Sequence, residues 1–156
     1  MSDTPSVVFD CNVFMQALGF PRGPAGRCLE LVWEGKLKLL LSQQILAEVQ
    51  SVTARPKIAA KLRVRAARID KFISSIESSG QLLDTFPDVF VYARDPRDAH
   101  YVNLALAARA GVIVSRDKDL LELIDRSTPD GCRFHEQFPA LRILDPVSFL
   151  KEFDKK

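Results

Sequence analysis

Two short apolar runs, each followed by a carboxylate, constrain the fold of this chain more than any other feature. Residues 7–9 (VVF) precede Asp10, and residues 112–114 (VIV) are followed three positions later by Asp117. β-Branched and aromatic residues in runs of this length are typical of short buried strands. The second run comes after a helical pattern and Gly111, and the order helix, glycine, strand indicates a βαβ unit. We therefore predict an α/β fold built on a parallel sheet.

The remaining elements are predicted from helical spacing, capping residues and turn formers. Ser42 is a suitable N-cap for a helix that ends at Arg55 and Pro56, because proline disfavours helical geometry in the residue before it. Residues 126–140 combine turn formers with no clear period, and we expect a surface loop there. Further helices are expected at 13–18, 25–34, 55–71, 98–110, 120–124 and 147–153, and further strands at 36–41, 81–86 and 141–144.

Length and composition point to one compact unit. The chain has 156 residues, of which 47% are hydrophobic, and we expect a single domain covering 1–156. No stretch resembles a signal peptide or approaches the ~18 apolar residues of a membrane span. The three cysteines, Cys11, Cys28 and Cys132, are widely spaced and form no CxxC pair. These features predict a cytoplasmic protein with free thiols.

Four acidic residues at the ends or edges of predicted elements are the candidate functional group. Asp10 and Asp117 follow strands, which is where open α/β sheets bind their ligands. Asp98 begins a predicted helix, and Glu48 lies three residues after Ile45, beside the apolar face of its own helix. Taken singly, Glu48 also suits a solvated helix face, and Asp98 suits a helix cap, as Asp95 does even more. As a set, the four acids predict one acidic pocket.

The sequence lacks histidines at the spacing of metal ligands, and this limits which metal such a pocket can bind. His100 and His135 have no ligand partner at helical spacing, so a zinc site is not indicated. Carboxylates alone select Mg²⁺ or Mn²⁺. Several carboxylates also share a small volume only when a cation offsets their repulsion. We therefore predict a divalent-metal site that cuts RNA with a metal-activated water.

A basic stretch supports a nucleic-acid substrate. The net charge is only +2, but residues 55–71 carry seven basic side chains and a single acid, Asp70. Within this stretch, we expect Arg63, Arg65 and Arg68 to bind the phosphate backbone of RNA. An ordinary solvated helix face is the alternative explanation.

Four segments resemble the motifs of PIN-domain ribonucleases. They are FDCNV at 9–13, LAEV at 46–49, RDPRD at 94–98 and IVSRDKDLL at 113–121. The resemblance extends over 7–149 and is strongest to the toxin components of bacterial toxin–antitoxin systems. It implies a three-layer α/β/α sandwich around a central parallel sheet, Mg²⁺ or Mn²⁺ dependence, and cleavage of single-stranded RNA. It also implies a homodimer and inhibition by a small protein antitoxin.

The resemblance assigns residue roles by position. Metal binding and catalysis are implied for four acids: Asp10, Glu48, Asp98 and Asp117. Support of the surrounding loops, or of a second metal ion, is implied for Asn12, Ser115 and Asp119. All four acids are present, so the pattern predicts an active enzyme.

Two departures from the family pattern keep a second function open. Cys11 stands where the family usually has a hydroxyl residue, which would weaken a hydrogen bond beside Asp10. Ala99 and His100 also differ from the usual third motif. A PIN-fold module that binds RNA or protein without cutting is therefore the alternative. A receiver-like or phosphatase-like domain with Asp10 as phosphate acceptor fits less well, because the phosphatase version needs a second aspartate where this chain has Asn12.

Overall fold

The fold is organised around five strands in one parallel sheet. A computed structural model describes residues 4–154. In that part of the chain the strands are β1 (Ser6–Phe9), β2 (Lys38–Ser42), β3 (Gln81–Leu83), β4 (Val112–Val114) and β5 (Arg142–Leu144). Their order across the sheet is β3-β2-β1-β4-β5. Every neighbouring pair is parallel.

Helices connect the strands and begin at signals carried by the sequence. The helices are α1 (Cys11–Gly19), α2 (Pro24–Trp33), α3 (Gln43–Thr53), α4 (Pro56–Leu62), α5 (Ala66–Ser79), α6 (Ala99–Ala108), α7 (Lys118–Glu122), α8 (Pro129–Gln137) and α9 (Pro146–Phe153). A 3₁₀ turn, Pro96–Asp98, leads into α6. Ser42 caps α3 as predicted, because its hydroxyl accepts a 3.1 Å hydrogen bond from the backbone N–H of Ile45.

Helices cover both faces of the sheet. α6 packs against β1, β2 and β4, while α1 packs on α2 and α3, and α3 packs on α5. Right-handed crossovers place the helices that follow β1 and β2 on one face, and those that follow β3 and β4 on the other. Residues 7–9 of the central strand β1 are fully buried as a result. The predicted three-layer α/β/α sandwich around a parallel sheet is confirmed.

The chain leaves β1 and β4 towards opposite edges of the sheet. Phe9 at the end of β1 is paired with Val114 at the end of β4, so the next residues of both strands emerge side by side. The backbone N–H of Asp10 donates a 3.1 Å hydrogen bond to the carbonyl of Val114. Open α/β sheets form their binding crevices at such a change of direction. The fold therefore brings the residue after β1 next to Ser115 and Asp117.

The basic stretch forms two helices, so the prediction of one helix over 55–71 needs correction. α4 and α5 are separated by residues 63–65. Arg63 has a φ of 56°, in the left-handed region. The backbone N–H of Val64 then donates a 3.2 Å hydrogen bond to the carbonyl of Ala59. This left-handed residue ends α4 and lets Val64 pack against the core.

The expected loop over 126–140 contains α8, so that prediction is wrong. Thr128 caps the helix, and its hydroxyl oxygen accepts a 3.0 Å hydrogen bond from the backbone N–H of Gly131. Phe134 is buried and packs edge-on against Phe90, with ring centroids 5.6 Å apart. This one buried aromatic side chain holds α8 against the core. A single apolar position does not give the repeated apolar spacing by which a sequence indicates a helix.

An irregular segment follows the edge strand. The predicted strand over 81–86 is limited to the three residues of β3. Residues 89–92 have no strand partner among the residues that the structure describes. Asn103 holds this segment in place, because its Oδ1 accepts hydrogen bonds from the N–H groups of Val89 (2.9 Å) and Phe90 (2.7 Å).

The structure also bears on the predictions about thiols and membranes. Cys11, Cys28 and Cys132 are free, as predicted. Between residues 4 and 154, no helix combines the length and the apolar character needed to cross a bilayer.

Candidate functional site

The four predicted acids border one cleft of about 200 Å³ at the carboxyl ends of β1 and β4, which we call the acid cleft. Segments that are distant in sequence meet there, including the starts of α1 and α7, the middle of α3 and the 3₁₀ turn. The cleft is bordered by Asp10, Cys11, Asn12, Glu48, Val52, Arg55, Asp95, Arg97, Asp98, Tyr101 and Asp117. The convergence expected from the sequence is therefore observed.

Asp10 is a buried carboxyl group with a hydrogen-bond partner on each oxygen. It caps α1, where its Oδ1 accepts a 3.0 Å hydrogen bond from the backbone N–H of Val13. The hydroxyl of Ser115 donates to Oδ2. Burial raises the pKa of Asp10 to about 6, although both hydrogen bonds act to lower it and the charge of Asp117 raises it further. Ser115 thus supplies a hydroxyl partner that Cys11 does not.

Ser115 also links the two acids that follow the strands. Its Oγ, which donates to Asp10, accepts a 2.9 Å hydrogen bond from the backbone N–H of Asp117. Asp117 in turn caps α7, with Oδ1 accepting from the N–H groups of Asp119 (2.8 Å) and Leu120 (3.3 Å). Because Ser115 is fully buried, its hydroxyl fixes the relative positions of Asp10 and Asp117.

Asp98 occupies the N-cap position of α6, but its side chain does not act as a cap. Its side chain makes no capping hydrogen bond to α6. The residue is 8% exposed, and Oδ2 is buried without a hydrogen-bond partner among the described residues. Burial, followed by the charge of Asp117, raises the pKa of Asp98 to about 8. Buried polar atoms are normally paired, so this oxygen is available to a ligand.

The closest group of carboxylates differs from the predicted metal set. One oxygen of each of four residues lies within 4.8 Å of the other three, and these residues are Asp95, Asp98, Asp117 and Asp119. Asp10 and Glu48 border the acid cleft but lie outside this group, whereas Asp119 belongs to the group without bordering the cleft. The donors are all oxygen atoms, and the Asp98 carboxyl carries a buried oxygen without a partner among the described residues. This donor set fits a hard divalent cation such as Mg²⁺ or Mn²⁺.

Asp95 and Asp119 join the acidic group while also making local contacts. Asp95 Oδ1 accepts a 3.2 Å hydrogen bond from the backbone N–H of Arg97, which is the turn-capping role that the sequence suggests. Asp119 Oδ1 accepts a 3.0 Å hydrogen bond from Nε of Arg94. Sequence analysis missed Asp95 as a candidate ligand because the capping role explained it completely.

Glu48 is positioned by two adjacent residues of α6, His100 and Tyr101, to which sequence analysis gave no role beside Glu48. The hydroxyl of Tyr101 donates a 2.5 Å hydrogen bond to Glu48 Oε1 and accepts one of 3.0 Å from the backbone N–H of Cys11. Nε2 of His100 lies 3.5 Å from the same oxygen of Glu48. Burial alone would raise the pKa of Glu48, but the bonds from His100 and Tyr101 outweigh it, and the pKa is lowered. The available signal was the presence of His100, Tyr101 and Asn103 in an otherwise apolar helix.

The positive charge beside the acids comes from residues other than the three arginines predicted to bind RNA. Arg55 and Arg97 border the acid cleft. The three arginines predicted to bind RNA, Arg63, Arg65 and Arg68, do not border it. Arg68 instead donates a 3.2 Å hydrogen bond to a backbone carbonyl of α1.

Known proteins resemble this chain over most of its length. The family model described as PIN domain matches residues 6–119. The chain is 31% identical over 149 residues to the uncharacterized protein MJ1680 of Methanocaldococcus jannaschii, covering 96% of this chain and 92% of the relative. A similar fold occurs in the crystal structure of VapBC2 from Rickettsia felis bound to a DNA fragment from their promoter. That match has a TM-score of 0.53 and 14% identity, and it covers 90% of this chain and 98% of the other.

Proposed function

We infer the function from one premise: the chain belongs to the PIN domain family, whose model spans every acid of the acid cleft. We propose that the protein is a metal-dependent endoribonuclease that cuts single-stranded RNA, with Mg²⁺ or Mn²⁺ as cofactor. The observation that carries this proposal is the close group of four carboxylates, in which a buried oxygen of Asp98 has no partner among the described residues. Such a group suits a divalent cation.

The residues that would hold the metal come from both the resemblance and the geometry. The resemblance implies Asp10, Glu48, Asp98 and Asp117. Proximity adds Asp95 and Asp119 to the candidate ligands. A bound Mg²⁺ or Mn²⁺ supplies Lewis acidity, which acidifies water and stabilises negative charge on a phosphate.

The side chains of the cleft have separate tasks in this proposal. Glu48 carries a lowered pKa and is held by Tyr101, so its carboxylate is placed to accept a hydrogen bond from the attacking water. Arg55 and Arg97 give the cleft the positive charge that attracts a phosphodiester. Ser115 keeps Asp10 and Asp117 in register, and Asn12 borders the cleft as a further polar contact.

The direct test is cleavage of a mixed RNA pool by purified protein, with Mg²⁺ or Mn²⁺ against EDTA. Asp10→Asn removes a charged ligand with little change of shape, and Asp84→Asn is the matched control, because Asp84 is exposed and does not border the cleft. Metal-dependent cutting that Asp10→Asn abolishes and Asp84→Asn retains is the expected result. Undiminished cutting by Asp10→Asn would refute the site assignment. No cutting with either metal would favour a PIN-fold module that binds RNA or protein.

We also propose that the protein is the toxin of a toxin–antitoxin pair, acting in the cytoplasm as a homodimer under the control of a small protein antitoxin. The sequence resemblance supports this biological role, and the similar fold of a chain in the VapBC2 complex is compatible with it. The test is growth of a bacterial host after induced expression. Arrest by the native chain, but not by Asp10→Asn, is expected, and sedimentation of the purified protein would test the dimer.

A further inference from the structure

A second cleft lies beside the acid cleft. It has a volume of about 330 Å³, within the lower part of the range for small-molecule sites. The residues of this second cleft that matter here are Gln44, Asp88, Val91, Pro96, His100 and Asn103. None of them borders the acid cleft.

The two clefts open along shared elements. Gln44 borders the second cleft and Glu48 borders the acid cleft. These residues are four apart on α3, so their side chains lie on one helix face, ~6 Å apart along the axis. In the 3₁₀ turn, Pro96 borders the second cleft and Asp98 the acid cleft. One nucleotide of an RNA strand can bridge such a spacing.

We propose that the second cleft binds one unpaired base of the RNA strand whose phosphate lies in the acid cleft, and so sets the sequence preference of cutting. This inference rests on the nuclease function proposed above. The cleft has surfaces for both parts of a base. Val91, which is 81% exposed, and Pro96 offer apolar surface to its face. Gln44 and Asp88 are exposed and offer hydrogen bonds to its edge.

Gln44 and Asp88, which face the edge of the bound base in this proposal, favour some bases over others. An aspartate carboxylate accepts hydrogen bonds and donates none, whereas a glutamine amide does both. A carboxylate therefore pairs with an exocyclic amino group, which adenine, cytosine and guanine carry. Uracil offers only its N3–H, which lies between two carbonyl oxygens that repel the carboxylate. Asp88 thus selects against uracil in the second cleft.

The second cleft is held in shape by a buried amide. Asn103 is 2% exposed, and its side chain bonds the N–H groups of Val89 and Phe90 and the carbonyl of Phe90. These bonds fix the segment that carries Asp88 and Val91. A site that is fixed before the ligand arrives loses less entropy on binding.

His100 connects the second cleft to the acid cleft. Its Nε2 lies 3.5 Å from Glu48, while the ring borders the second cleft. Nδ1 is buried and has no hydrogen-bond partner among residues 4–154. A side chain that is nine-tenths buried with an unpaired nitrogen indicates a missing polar partner at this point. Because the ring borders the second cleft, a base or water bound there is the candidate for that partner.

The first test measures binding without cutting. Fluorescence anisotropy with labelled oligo(A), oligo(C) and oligo(U) RNA is performed in Ca²⁺, with intact RNA confirmed on a gel. The native protein should bind oligo(A) and oligo(C) about tenfold more tightly than oligo(U), as expected for a hydrogen bond to a charged group. Asp88→Asn should remove most of this difference, and Gln44→Ala should weaken binding. Gln43→Ala is the matched control, because Gln43 is also exposed but borders a different cleft.

The second test sequences the ends produced from a mixed RNA pool in Mn²⁺. The native protein should avoid uracil at one position beside the cut, and Asp88→Asn should relax that avoidance while Gln43→Ala keeps it. The proposal would be overturned if the native protein and Asp88→Asn cut RNA with the same frequencies of bases beside the cut. It would also be overturned if the native protein bound the three oligonucleotides with equal affinity. A third outcome separates the two proposals. If the protein does not cut RNA, but binds it in a base-dependent way that Asp88→Asn removes, the nuclease function is rejected and the base site is upheld.

Discussion

The hydroxyl of Tyr101 donates a 2.5 Å hydrogen bond to Glu48, a residue 53 positions earlier in the sequence. The same hydroxyl accepts a hydrogen bond from the backbone N–H of Cys11. Tyr101 therefore joins α6, α3 and the start of α1 through one oxygen atom. Since Cys11 directly follows Asp10, this oxygen also connects Glu48 to the loop that carries a second acid of the cleft.

We expect Tyr101→Phe to impair both folding stability and cleavage. The buried N–H of Cys11 would lose its partner, which costs about 1–3 kcal/mol in the free energy of unfolding. Glu48 would lose its donor, and misplacement of such a group lowers cleavage by about 10- to 100-fold. Urea unfolding and the RNA cleavage assay measure the two effects.

Thr53→Val is the matched control, because the Thr53 hydroxyl is buried on the same helix as Glu48, donates to the backbone carbonyl of Val49 at 2.8 Å, and does not border the acid cleft. An equal loss of cleavage in this variant would show that the effect of Tyr101→Phe does not act through Glu48.

We expect Asp98→Asn to stabilise the metal-free protein while abolishing cleavage. The native carboxyl is buried beside the charge of Asp117, and both raise its pKa to about 8. A neutral amide removes this repulsion, so the free energy of unfolding in EDTA near pH 8 should rise by about 1 kcal/mol. Urea unfolding in EDTA checks the sign, with Asp84→Asn expected to change nothing. A decrease in stability would mean that the Asp98 carboxylate has a compensating partner.

The stability of the metal-free protein should fall as the pH rises. The pKa values of Asp10 and Asp98 are raised from an ordinary 3.8 to about 6 and about 8. Above about pH 4 the folded state therefore holds protons that the unfolded state has released, and the free energy of unfolding decreases up to about pH 8. Mn²⁺ competes with these protons, so its stabilising effect should grow over the same interval.

Thermal unfolding in EDTA and in Mn²⁺, measured across this pH interval, tests both trends. The double variant Asp10→Asn/Asp98→Asn should show a flatter pH dependence in EDTA. An unchanged slope would assign the protons to other groups.

We expect Arg63→Gln/Arg65→Gln to weaken RNA binding and its dependence on salt. Each lost contact to a single-stranded phosphate should reduce the slope of log affinity against log salt by about 0.7. Arg68 is left intact because it holds α1. Arg109→Gln/Lys38→Gln is the matched control at the amino ends of the strands, and Arg109 shares with Arg63 a φ of 56°. Equal slopes in the two double variants would show that the basic stretch is only solvated.

Part of the fold followed from local pattern. β1 and β4 are buried on both faces, so their apolar runs are continuous and easy to recognise. α8 could not be recognised in this way, because its sequence includes Gly131. A Cβ at Gly131 would come 1.9 Å from the backbone oxygen of Asp125. Glycine at position 131 therefore disfavours a helix in the sequence pattern, but the close approach of the Asp125 backbone requires it.

The candidate site was predictable where it depends on strand ends. Asp10 and Asp117 were found because each follows a strand. Asp95 was overlooked because its local hydrogen bond explains it, and Tyr101 because its partners Cys11 and Glu48 are distant in sequence. Contacts of this kind are set by the packing of α6 over the sheet, which no local pattern reveals.

The position of β4 in the sheet has a consequence during synthesis. β4 lies beside β1, yet of the five strands that the structure describes it is the fourth to be made. Translation adds about 5–20 residues per second, so Asp10 leaves the ribosome several seconds before Asp117 exists. The growing chain has no complete acid cleft through most of its synthesis, while ribosomal and messenger RNA surround it.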